Sequence, residues 1–378
     1  MQITRNQLDT RAAGTQQSST AQSSAGRVLG DRFRDVARRV AALTLTSAIA
    51  LVAVFVAAPP SYGKDKILVV TSGQGSLAAT AYIARQLGYF DSEGLDVTVI
   101  DGGGGSNAVN TLVGGGAQIG LVGIKLASQA VEKGQPLKVV GTAIQGFPNY
   151  LVVQRAEYEK SGLTPTSPLA AKVAFLKGKT IAVNDIGGSS GEFARYVLNA
   201  AQVPADKVTL INMTSTAGRL AALKRGRIDA IIGGQPEPET AIAGGYGVML
   251  VNPKADLPGL GKLDYMVQVV RADYLKQNPA IVEHYLRAIK RSEDLVKDHP
   301  DEAKRAFFAY ELNDAHGGAI DPAIADEAWK NMLAYFPDTL RLEPEQVAAA
   351  RKFFDISAAV SDTTFIDNGI ADRILAGK

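Results

Sequence analysis

A chain of 378 residues, 46% hydrophobic and 21% charged, has the balance of a soluble globular protein, with length for more than one folded unit and a large core. It has no cysteine, which excludes disulfides, thiolate metal sites, cysteine nucleophiles and the lipid anchor of a bacterial lipoprotein. Seven of the 40 basic and three of the 38 acidic residues fall in 1–63, so the remainder carries a net −2 and offers no electrostatic case for nucleic acid or an anionic membrane.

Residues 1–31 are polar and carry no helix or strand pattern. The basic cluster Arg32, Arg34, Arg38 and Arg39 is followed by an apolar run from Val40 to Ala58 and then by Pro59-Pro60-Ser61-Tyr62-Gly63. That order, charged then apolar then small, is the order of a secretory signal, with cleavage expected after Gly63 in preference to Ala58. The competing reading is an uncleaved anchor, since the run is near the ~20 residues a span needs. Thr44, Thr46 and Ser47 dilute the run and prolines close it, which favours the signal. The expectation is an exported, periplasmic protein with 1–63 as leader.

From Lys64 the pattern is strand, glycine loop, helix, repeated. Ile67–Thr71 is a β-branched run, followed by Gly73-Gln74-Gly75-Ser76 and a helical pattern over Leu77–Leu87 that stops at Gly88. Val97–Ile100 precedes Gly102-Gly103-Gly104-Gly105-Ser106 and a helix over Asn107–Val113; Ile119–Val122, a helix near Lys125–Glu132 and the strand Leu137–Ala143 follow. The pattern then restarts: strand Lys179–Val183, loop Gly187-Gly188-Ser189-Ser190-Gly191, helix Glu192–Ala201, strand Val208–Asn212, helix Thr216–Arg225, strand Ile228–Ile232, Gly233-Gly234-Gln235-Pro236 with a short helix, and strand Val248–Val251. Strands alternating with short helices predict mostly parallel sheets, and two separate runs predict two α/β lobes. The segments beginning Asn149-Tyr150 and Asp264-Tyr265 resemble each other and are read as two extended strands side by side, each crossing between lobes. The second lobe (153–264) is then an insertion between 64–152 and 265–378. Beyond Pro279 the pattern is helical (Ala280–Lys297, Pro300–Tyr310, Ala323–Phe336, Glu343–Val360), expected on the outside of the first lobe with Trp329, Phe336, Phe353 and Phe354 as core anchors.

Catalytic constellations are poor. His284, His299 and His316 all lie in the helical C-terminal region, away from any glycine loop, and no metal-ligand spacing is present. Gly187-Gly188-Ser189-Ser190-Gly191 does fit the letters of a Gly-x-Ser-x-Gly nucleophile elbow, but no histidine is placed to serve Ser189, so an enzyme is not expected. Binding is better supported. Gly75-Ser76, Gly105-Ser106 and Gly188-Ser189 each follow a strand and open a helix, where the serine is expected to cap the helix and Glu192 to complete a capping box with Ser189. Helix starts present free N–H groups that suit an anion, and they lie at the strand ends where open α/β sheets bind ligands. Taken singly, each loop is better explained as a tight turn with a cap; three such loops in two lobes facing one cleft are what favours binding.

Tyr82-Ile-Ala-Arg-Gln-Leu-Gly88-Tyr89-Phe90-Asp-Ser-Glu-Gly94-Leu95-Asp96-Val97 resembles a signature of the nitrate/sulfonate/taurine-type periplasmic binding proteins, a group that includes thiamine-precursor binders. Gly115–Gly120, Leu176–Val183 and Leu223–Ala230 continue the resemblance, with Gln118 where Asp is commoner. It implies a type II periplasmic-binding-protein-like α/β fold, two lobes with a two-strand hinge and C-terminal helices. It also implies hinge closure on a small, anionic organic compound or nitrate, with no cofactor. Implied partners are the permease and ATPase of an ABC importer, the protein itself being a monomer. By position, implied ligand contacts are Gln74, Gly75, Ser76, Gly103, Ser106, Gly123, Gly188, Ser189, Ser190, Thr214, Gly234, Gln235 and Glu237, with Glu237 either pairing a ligand amine or serving as a first-turn acid. A thiamine-pyrimidine binder and a ligand-sensing subunit of the same fold are the alternatives.

Overall fold

The computed structural model describes residues 63–261, 263–311 and 320–377. The expected leader, apart from Gly63, and His316 lie outside the described residues. Helices of seven or more residues are labelled.

The first lobe runs β1 (Asp65–Thr71), α1 (Ala79–Gln86), β2 (Leu95–Asp101), α2 (Gly105–Val113), β3 (Ile119–Gly123), α3 (Ile124–Glu132) and β4 (Leu137–Gln145). The second comprises β5 (Tyr150–Gln154), β6 (Thr180–Val183), α4 (Ser189–Ala200), β7 (Thr209–Asn212), α5 (Thr216–Lys224), β8 (Ala230–Gly233), α6 (Glu237–Ala243) and β9 (Gly247–Val251). The chain then returns through β10 (Asp264–Arg271) to α7 (Pro279–Asp298), α8 (Pro300–Glu311), α9 (Pro322–Met332), α10 (Pro344–Phe354) and α11 (Gly369–Leu375).

Each lobe is built on a five-stranded sheet, in the orders β2-β1-β3-β10-β4 and β7-β6-β8-β5-β9. In both, three parallel strands meet one antiparallel strand that came from, or returns from, the other lobe: β10 runs against β3 and β4, β5 against β8 and β9. The central strands are buried on both faces, as Ile119–Gly123 and Met266–Val270 show, which explains their near-continuous apolar letters. Residues at or just after the carboxyl ends of β1, β2, β6 and β8 (Ser72, Asp101, Asn184 and Gly233) line one cleft.

The hinge differs from expectation. The look-alike segments do not lie side by side: Tyr150–Gln154 belongs wholly to the second sheet, Asp264–Arg271 wholly to the first. The chain crosses just before each of them, at 146–149 and in the stretch that follows Val251. These crossings are tied by Gly146 N donating to Leu263 O (2.8 Å) and Asn149 Nδ2 donating to the Tyr265 hydroxyl (2.9 Å). Both segments look alike because each is a core strand entered directly from a crossing.

On α7, Val282, Tyr285, Leu286, Ile289 and Val296 form one buried stripe at helical spacing. Tyr285 stacks on Phe90 and Phe307 on Tyr82, which fixes α7 and α8 on the first lobe. Phe147, at a crossing, packs against Phe193, Tyr265, Phe353 and Phe354. The helix expected over 343–360 stops at Phe354, because Asp355 turns left-handed (φ 52°). Nor do the C-terminal helices stay outside the first lobe: Asn331 on α9 donates to Glu239 on α6 of the second (2.9 Å).

Candidate functional site

Between the lobes lies a cavity of about 670 Å³. Its floor comes from the crossings and β10 (Asn149, Tyr265), its walls from the loops at the strand ends. The first lobe supplies Ser72–Gly75, Asp101 and Gly103–Gly105; the second Asn184, Ser189, Ser190, Thr214–Ala217, Arg219 and Gly233–Glu237. Of the expected residues, Gln74, Gly75, Gly103, Ser189, Ser190, Thr214, Gly234, Gln235 and Glu237 line it. Ser76, Ser106, Gly123 and Gly188 do not. Missed from the sequence were Asn149, Asn184 and Tyr265, and an apolar patch of Leu77, Leu220, Ile320 and Ile324. Ile320 and Ile324 come with α9, and no local letters mark a C-terminal helix as a cleft wall.

The serines are not caps. α2 begins at Gly105 and α4 at Ser189 itself, with Gly104 and Gly188 at the cap positions, and Ser76 sits inside a 3-10 turn that starts at Gly75. Ser190 Oγ instead donates to Asn184 within its own loop. The expected capping box is also absent. Burial works against the Glu192 charge, yet hydrogen bonds from Lys125 and Arg195 hold its carboxyl below the usual range. Lys125 belongs to the first lobe, so this pair spans the cleft edge.

Glu237 resolves as a first-turn acid whose partner is protein. Arg219 donates to both its oxygens (2.8 and 2.7 Å), and the two side chains are 5% and 3% exposed. Arg219 also donates to the Met213 and Thr214 carbonyls and to Thr216 Oγ1, so all five of its N–H groups are spent. The one basic side chain among the described lining residues is therefore neutralised, and it serves to join the Met213–Thr216 loop to α6.

Two side chains behind the cleft wall, Gln235 and Ser76, are buried with polar atoms out of reach of solvent. The Gln235 side chain is buried beside the Tyr150 hydroxyl, and its amide atoms and Ser76 Oγ have no hydrogen-bond partner of normal geometry. The backbones of the same two residues join the lobes, Ser76 N donating to Gln235 O (3.1 Å). That approach needs Gly75, whose φ of +68° and missing Cβ leave room for the Gln235 carbonyl. Burial pushes the Tyr265 phenol up to about 12, with hydrogen bonds to Ser189 and Asn149 pulling the other way. Neither His284 nor His299 lines the cavity; His284 pairs with Glu93 (2.8 Å).

Residues 77–303, more than half the sequence, match the family described as NMT1/THI5 like. The chain belongs to the NMT1/THI5-like family. It is 24% identical over 282 residues to the protein YtlA of Bacillus subtilis (strain 168), covering 74% of this chain and 80% of that one. A solved protein from Bordetella bronchiseptica RB50 superposes with a TM-score of 0.70 at 22% identity, over 83% of this chain and 98% of that one. The alkanesulfonate-binding protein SsuA from Xanthomonas axonopodis pv. citri, solved with MOPS, gives 0.61 at 18%, over 84% and 98%. The NMT1/THI5-like chain thus has the periplasmic-binding-protein fold. The matched stretch includes the second-lobe wall but ends before Ile320 and Ile324, and begins after Ser72–Gly75.

Proposed function

We propose that the protein is the periplasmic solute-binding component of an ABC importer, a binder and not an enzyme, which captures a small organic compound by closure of its two lobes. The observation that carries this reading is the cavity itself. It lies between two lobes that the chain links through two crossing segments, and it is walled by both, so a bound solute contacts both and favours closure through differential affinity. Its volume is within the range of about 300–1,000 Å³ usual for organic-ligand sites, which argues for an organic solute over nitrate.

The solute's polar, anionic group is assigned to the starts of α4 and α5, at Ser189, Ser190 and Thr214–Ala217, where backbone N–H groups replace a free cation. Its apolar part rests on Leu77, Leu220, Ile320 and Ile324. One observation favours a second reading, a neutral or cationic ring such as a thiamine-pyrimidine precursor. Asp101 and Asp321 line the cavity while Arg219 is already neutralised. In this reading the permease and ATPase subunits are the partners, the protein acts as a monomer, and 1–63 is removed on export.

A thermal-shift screen against alkanesulfonates, taurine, nitrate, aromatic carboxylates and pyrimidines tests both. A shift with organic anions supports the first reading; a shift confined to pyrimidines or cations transfers the assignment to the second. No shift with any of them sinks the binding reading. Replacing Ser189 and Ser190 together by Ala is expected to weaken the binding found.

A further inference from the structure

The loop between β6 and α4 places Asp185 against the opposite lobe. Its Oδ2 accepts the backbone N–H of Ser106, in the first turn of the nine-residue α2, at 2.9 Å, and its Oδ1 accepts Gly187 N of its own loop at 2.9 Å. α2 has no side-chain cap of its own, since Gly104 holds the cap position. Its orphan donor and positive dipole end are met by a carboxylate 79 residues away in sequence. Two glycines, one on each lobe, hold the space open. A Cβ on Gly104 would lie 3.3 Å from Asp185 Oδ2, and one on Gly188 2.8 Å from it. Beside this contact Asn184 Nδ2 donates to Ser72 O (3.2 Å), and Lys125 pairs with Glu192 (2.9 Å), so one edge of the cleft is a continuous seam between lobes.

We propose that Asp185 is a built-in anion which occupies the start of α2 from the opposite lobe and latches the cleft without solute. The first-lobe glycine loop is then a docking point for the protein's own carboxylate, and a solute anion is left only the second-lobe helix starts. The consequence for solute rests on the lobe-closure reading above, but the latch is tested without any solute, so the two fail separately.

The chain has no native cysteine, so Lys133→Cys on the first lobe and Arg225→Cys on the second, both exposed, give a single labelled pair for interlobe distance measurement. Ligand-free protein with Asp185 intact is expected to populate the short distance. Asp185→Ala is expected to move the open-to-closed ratio by about tenfold or more towards open, the scale of one charge-assisted hydrogen bond. Formate, filling the vacated space, is expected to restore the short distance in Asp185→Ala, where chloride at equal ionic strength does not. Asp185→Asn, isosteric and uncharged, serves if the alanine variant does not fold. It is expected to open partly and to ignore formate. Distances unchanged in Asp185→Ala, or in Asp185→Asn where that variant stands in, overturn the latch. Opening in Asp185→Ala that formate fails to reverse, or opening in Asp185→Asn that formate does reverse, overturns the anion assignment.

Discussion

The Arg219–Glu237 pair makes a quantitative prediction, because it decides whether Glu237 serves a ligand or the fold. Each partner is almost fully buried, and two charge-assisted bonds at 2.8 and 2.7 Å join them. Removing one partner strands the other charge out of water, at a cost of about 3–5 kcal/mol, whereas removing both leaves no buried charge. Glu237→Met is therefore expected to destabilise the ligand-free protein by roughly 3–5 kcal/mol. Arg219→Met is expected to cost at least as much, since it also frees the Met213 and Thr214 carbonyls. The double variant should fall short of the sum by about 2 kcal/mol or more, a coupling typical of strong direct contacts. Urea unfolding of the four proteins at pH 7 measures the cycle. Additive losses, or a cost below about 1 kcal/mol for Glu237→Met, would refute the argument and return Glu237 to the ligand.

Gly233→Ala should mimic the loss of that pair, because the new Cβ would occupy the position of Glu237 Oε2; unchanged stability would show that the carboxylate can move without cost. Asp264 is fully buried, and burial pushes its carboxyl up to about 6. Its proton is held more tightly folded than unfolded, so its contribution is fully present below about pH 4 and lost as pH rises to about 6. Asp264→Asn should flatten that part of the stability–pH curve and stabilise by about 3 kcal/mol at pH 7, which unfolding curves at pH 4, 5, 6 and 7 check. Glu293 has both carboxylate oxygens buried and unpartnered, with its pKa raised by burial. Glu293→Gln should raise the urea midpoint at pH 7 and much less at pH 4; a lower midpoint at pH 7 would mean that the carboxylate has a partner.

Much of the fold was legible because its cues are local. Val69 and Val70, Ile181–Val183 and Ala230–Ile232 are apolar runs that stop at glycine loops, and each became a strand whose carboxyl end faces the cleft. What failed was non-local. The sequence can show that Ser106 or Ser189 stands near a helix start, but the residue that satisfies the start of α2 is Asp185, on the other lobe. The letters of Asn149-Tyr150 and Asp264-Tyr265 show two core strands, yet which sheet each joins depends on partners elsewhere, β8 with β9 and β3 with β4. The helix ending at Phe354 overran in the sequence reading because Asp355 adopts a left-handed turn that aspartate tolerates but does not announce.

The glycine loops carry the sharpest lesson for the site. A glycine in such a loop says that something approaches the backbone closely, and the natural candidate is a ligand. At four of these positions the close atom is the protein's own: the Gln235 carbonyl at Gly75, Asp185 at Gly104 and Gly188, and the Glu237 carboxylate at Gly233. Those glycines assemble the cleft by letting one wall touch another. Gly103 differs, because it lines the cavity and a Cβ there would find its nearest neighbours, Asn107 and Thr214, only at 3.9 and 4.0 Å. It is the first-lobe glycine with room left for solute, and it stands across from the α5 start to which the solute's polar group is assigned. A solute bridging those two points would be held by both lobes, which is what closure by differential affinity requires.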